Sequence, residues 1–69
     1  MNRRIPILIT NGKLGTDNQR IVRYNVGSPQ GMAKVRYWTN ELAKRTNKQA
    51  WAEVFTYADN ARIIYKAGN

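Results

Sequence analysis

Between Ser28 and Asn47 the apolar residues return at spacings of three and four, while in the segments before it they return at spacings of two. Met32, Val35, Trp38, Thr39, Leu42, Ala43 and Thr46 fall on one side of a helix. An apolar stripe of that width must be covered, and the flanking segments that can cover it read as strands. Ser28 followed by Pro29 supplies an N-cap and a proline at the first helical position, where a missing N–H costs nothing. Gly31 weakens the first turn by roughly 1 kcal/mol relative to alanine. Asn47, in "TNK", tolerates the left-handed conformation that ends a helix. The outer arc carries Lys34, Tyr37, Glu41, Lys44 and Arg45, with Arg36 at the other margin of the stripe. Glu41 stands four residues before Arg45, the favourable order for an ion pair of about 0.2–0.5 kcal/mol.

"RIPILIT" alternates as a strand, with Ile5, Ile7 and Ile9 on one face and Pro6, Leu8 and Thr10 on the other. Proline belongs on an edge strand or at a strand's first residues, and Pro6 is taken to mark an edge. "NGKLGTDNQ" reads as a turn or mobile loop. "RIVRYNV" is the next strand, with Val22, Tyr24 and Val26 opposite Ile21, Arg23 and Asn25. "AWAEVFTY" could extend a helix through Trp51, Val54, Phe55 and Ala58. Its Val-Phe-Thr-Tyr run is strand-prone, however, and favours a second hairpin turning at Asp59 and Asn60 before "RIIYK". The expected chain is one α+β domain over 1–69 with the order ββαββ: an N-terminal hairpin about 3–26, a helix about 29–46 and a C-terminal hairpin about 50–67. An antiparallel sheet would carry the amphipathic helix on one face. Its other face would then show Leu8, Ile21 or Ile64 among Arg23, Arg62 and Lys66, to be met by a second copy or by a ligand.

Size sharpens that expectation. A chain of 69 residues has a radius of gyration near ~11 Å and buries only roughly 60% of its unfolded surface. It contains neither cysteine nor histidine, so disulfides and a Cys/His zinc site are excluded. Without those staples a homo-oligomer or a bound partner is expected.

The same two absences remove most catalytic chemistry, because the usual nucleophile–base pairs cannot be built. Ser28, the only serine, is used as a cap, and the four acids are far apart in sequence. No enzymatic activity, metal site or cofactor is expected. "NGKLG" lacks the glycine spacing and the Ser/Thr of a phosphate loop, and no helix follows it directly.

Twelve Lys/Arg against four Asp/Glu leave a net charge of +8. Residues 1–26 carry five cations and one acid, 27–49 carry five and one, and 50–69 are balanced. A basic surface of this kind concentrates phosphates. The leading expectation is a small protein that binds DNA or RNA through phosphates with low sequence specificity. Lys34, Lys44, Arg45 and Lys48 would be its main contacts, with Arg20 and Arg23 from the hairpin in support. Trp38, at the edge of the stripe, is assigned to packing. Tyr37 points away from the stripe between lysines and is the candidate for base stacking. No RRM, KH, zinc-finger or helix-turn-helix signature is present. The alternative is a non-catalytic adaptor or inhibitor of the kind phages and mobile elements encode, acting through a sheet edge or the spare apolar face. In "MNRRIPILIT" the apolar run ends after Ile9, short of a signal-peptide core, and no stretch approaches a membrane span. A soluble, cytoplasmic protein is expected.

Overall fold

The protein is described here from a computed structural model, which covers residues 4–56 and 60–68. Five elements follow in the order β1 (Ile5–Thr10), β2 (Gln19–Tyr24), α1 (Pro29–Thr46), β3 (Ala50–Thr56) and β4 (Asn60–Ala67). This is the ββαββ order of an α+β domain, and the strand reading of 50–56 holds. The turn expected at Asp59 and Asn60 falls against 57–59, outside the described residues, while Asn60 itself opens β4.

Local chemistry accounts for the helix ends. The Ser28 side chain accepts a hydrogen bond from the Gly31 N–H at 3.0 Å, Pro29 occupies the first turn, and Asn47 closes the helix at φ 54°, ψ 38°. Gly31 has a second role. A Cβ there would collide with the Asn25 carbonyl oxygen and lie 2.7 Å from its carbon, so glycine lets the β2–α1 connection lie directly on the helix start.

All four strands form one antiparallel sheet in the order β2-β1-β3-β4. Helix α1 crosses the face formed by Ile7, Ile9, Ala50, Ala52, Val54 and Ala67, burying Val35, Leu42 and Ala43 against them. Four alanines in that core bring the helix close to the sheet. Val22, Tyr24, Met32, Trp38, Ile64 and Tyr65 pack around its margin. Thr39, fully buried, donates its hydroxyl to the Val35 carbonyl at 2.8 Å, which satisfies the one polar group placed mid-stripe.

Three expectations are corrected. Strand β1 is interior, so Pro6 does not mark an edge strand. It is tolerated because the ladder with β3 begins only at Ile7, leaving Pro6 among the strand's first residues. Ile64 packs on the core and Ile63 is exposed in its place, because a register shift opposite Ala52 and Glu53 breaks the alternation of β4. Glu41 pairs with Lys44 at 3.8 Å rather than with Arg45. Positions three and four residues on are both within reach on an exposed face, and only a few tenths of a kcal/mol separate them.

The 11–18 connection is closed by hydrogen bonds centred on Asn11 and Asn18. Asn11 Nδ2 donates to Asn18 Oδ1 at 2.8 Å, Asn18 Nδ2 to the Leu14 carbonyl at 3.0 Å, and the Asn11 N–H to the Asn18 carbonyl at 3.1 Å. On the face away from the helix, Trp51 donates its indole N–H to Glu53 at 2.6 Å. Its ring lies over Gly12 (φ +90°), where a Cβ would sit 3.0 Å from Trp51 Cη2.

Candidate nucleic-acid interface

Alternation along β2 sends Arg20, Val22 and Tyr24 to the helix side of the sheet and Ile21 and Arg23 to the other. Arg20 and Arg23, grouped together in the sequence reading, therefore stand on opposite faces. Arg20 meets α1 directly, its guanidinium carbon 4.1 Å from the centroid of the Trp38 ring. The Trp38 indole N–H donates to the Tyr24 hydroxyl at 2.9 Å, and Lys34 Nζ lies 5.6 Å from the Tyr24 centroid. Tyr37 meets Trp38 edge-on, with centroids 5.1 Å apart and planes at 78°, and keeps 55% of its surface exposed.

These residues form a ladder along the β2 side of the helix. Trp38 and Tyr24 are tied to each other and to the core, and each holds a cation over its ring. An aromatic face attracts a cation by about 0.5–1 kcal/mol at exposed sites, enough to bias where a flexible side chain rests. Arg20 and Lys34 are thus presented at defined places, and neither forms an ion pair among the described residues. The packing role expected for Trp38 agrees with its partly buried position. Its use as a platform for Arg20 was missed, although the odd–even phase of β2 places Arg20 with Val22 and Tyr24.

The other helical candidates stand elsewhere. Lys44 and Lys48 border a cleft of about 400 Å³ at the C-terminal end of α1, together with Asn40, Asn47, Gln49 and Gly68. Arg45 is exposed one residue further round the helix. At 1.5 Å per residue, Lys34 and Lys44 are about 15 Å apart along the axis. That span matches about four phosphates of a duplex strand at ~3.4 Å each. The expected continuous strip is therefore two basic groups, one at each end of the helix, with Tyr37 between them in sequence. Lys44–Glu41 is the only ion pair within 4.0 Å among the described residues, and both partners are solvated enough to leave Lys44 accessible to a phosphate.

Arg23 belongs to a third group. It borders a cleft of about 330 Å³ with Arg4, Lys34, Asn25, Ser28 and Gln30. Arg4 was counted in the charge but not placed by the sequence. The register Ile5↔Tyr24 sets it beside the end of β2. No helix among the described residues is long and apolar enough to cross a membrane. Comparison with protein-family models, curated proteins and solved structures finds no match to this chain.

Proposed function

We propose that this chain is a small, non-catalytic nucleic-acid-binding protein that grips phosphates with low sequence specificity. One observation carries the reading. Arg20 and Lys34 are held over the rings of Trp38 and Tyr24, beside a half-exposed Tyr37, on the side of a helix whose far end bears Lys44, Arg45 and Lys48. Cations fixed by aromatic platforms, with a tyrosine between the two groups, supply what phosphate contact and base stacking require. The net charge of +8 supplies the attraction over distance.

The test is a binding titration on mixed-sequence DNA and RNA at two salt concentrations. Lys44→Ala with Arg45→Ala should weaken binding similarly for every sequence. The slope of log affinity against log salt should flatten by about 1.4–1.8, from roughly 0.7–0.9 for each lost contact. Tyr37→Ala should cost roughly 1–3 kcal/mol of affinity where a base lies on the ring. An unchanged slope in the double variant would reduce the arc to a solvated face.

A second reading rests on the sheet face away from the helix. Ile21 and Ile63 are 68% and 46% exposed there, and Leu8 is directly opposite Ile21. This face suits a protein contact, whether with a second copy of the chain or with another partner that the chain would adapt or inhibit. Absence of nucleic-acid binding even at low salt would favour it.

A further inference from the structure

The Arg4–Arg23–Lys34 cleft differs in kind from the basic groups along the helix. There the cations are strung out along a surface; here three of them border one concavity of about 330 Å³, and no carboxylate among the described residues lines it. Ligand clefts usually run about 300–1,000 Å³, so this one has room for a phosphate and an adjoining sugar rather than a strand in passage. Its polar lining has unspent donors. Ser28 Oγ donates to the Asn25 carbonyl and accepts from Gly31, and Asn25 Oδ1 accepts from the Gly27 N–H. Among the described residues no hydrogen bond is made by the Asn25 or Gln30 amide NH₂ groups. The first turn of α1 contains no acid, and none of the three cations forms an ion pair among the described residues.

We propose that this cleft binds a phosphomonoester, supplied by a free nucleotide or by the phosphorylated end of a nucleic-acid strand. The proposal rests on, and narrows, the nucleic-acid reading. A phosphodiester carries a single charge and two free oxygens, which one or two cations satisfy. A monoester carries about −1.5 to −2 at neutral pH and three acceptor oxygens. Arg4, Arg23 and Lys34 all border this cleft, and guanidinium groups engage phosphate oxygens two at a time. The larger cleft by Lys44 and Lys48 does not compete. It has two cations instead of three and lies at the carbonyl end of the helix, where the partial charge is negative.

Three features of the fold build the cleft. Gly31 lets the Asn25 backbone press against α1, the β1–β2 register brings Arg4 alongside, and the Tyr24 ring sets Lys34 at its rim.

The experiment is an amide-resolved NMR titration of the full chain with a nucleoside 5′-monophosphate and, in parallel, with the uncharged nucleoside. Amides in 25–34 should shift saturably with the monophosphate and not with the nucleoside. Arg23→Gln with Lys34→Gln should abolish the shift, while Lys44→Gln with Arg45→Gln leaves it intact. Oligonucleotides with a 5′-phosphate, a 3′-phosphate or hydroxyl ends then separate the sources. If a strand end is the ligand, one phosphorylated end tightens binding roughly tenfold or more, as expected for charge-assisted hydrogen bonds. Monophosphate binding without any oligonucleotide binding supports the cleft, assigns it to a free nucleotide and removes the strand-binding reading. No saturable shift in 25–34 overturns the cleft, as do equal shifts around Lys44 and Lys48; oligonucleotides that still bind regardless of their ends would leave the wider reading standing.

Discussion

Gly31 shows how a single residue can answer to two demands. By helix propensity alone, alanine at this position should stabilise α1 by roughly 1 kcal/mol. The Asn25 carbonyl occupies the space that a Cβ would need, and backbone at a strand-to-helix corner cannot yield as a side-chain tip does. Gly31→Ala is therefore expected to destabilise the protein by about 1–3 kcal/mol, the usual cost of overpacking, as read from chemical denaturation. A gain in stability would show that the corner relaxes freely. The sequence discloses glycine's propensity cost at this site but not its benefit, because the obstructing atom belongs to a residue outside the helix. Gly12 is a parallel case, with Trp51 approaching from β3.

At the scale of the element, α1 has its charges arranged unevenly. Lys44 and Arg45 in the last turn oppose the negative end of the helix dipole, while the first turn has no acid to oppose the positive end. Gln30→Glu supplies that acid. It should stabilise the folded chain by about 0.3–1 kcal/mol, measurable as a rise in melting temperature. The same variant places a carboxylate at the Arg4–Arg23–Lys34 cleft and should weaken phosphate binding there. A more stable protein with weakened binding would show that the uncompensated first turn serves a ligand. A variant that gains stability with undiminished monophosphate affinity would count against the cleft.

For the whole molecule the unequal treatment of the two sheet faces matters most. One is closed by α1. The other is covered at one end by Trp51 over Gly12, with Leu8, Ile21 and Ile63 along the rest. A domain with a radius of gyration of 11.5 Å and no disulfide has little surplus stability, and covering those residues would add to it. Self-association through this face is the proposed consequence. Sedimentation of the unmodified chain at micromolar concentration should show a dimer or larger species, which Ile21→Lys converts to monomer. A stable monomer from the unmodified chain rules this out.

The features legible in the sequence are those that local physics decides. A serine followed by proline, an asparagine at the far end and an apolar period between them define α1, because capping and helical period act within one or two turns. Alternation likewise marks β1 and β2 and puts Ile7 and Ile9 on the buried face. Strand order, the register shift that exchanges Ile63 for Ile64, and the interior place of β1 depend on pairing between residues far apart in the chain. No short window carries that information. The candidate site divides in the same way. Lys34, Tyr37, Lys44 and Arg45 were assigned to the exposed arc from helical spacing. The seating of Arg20 on Trp38 and the meeting of Arg4, Arg23 and Lys34 around one cleft required the folded sheet, since only tertiary packing brings an N-terminal arginine, a strand and a helix start to one place.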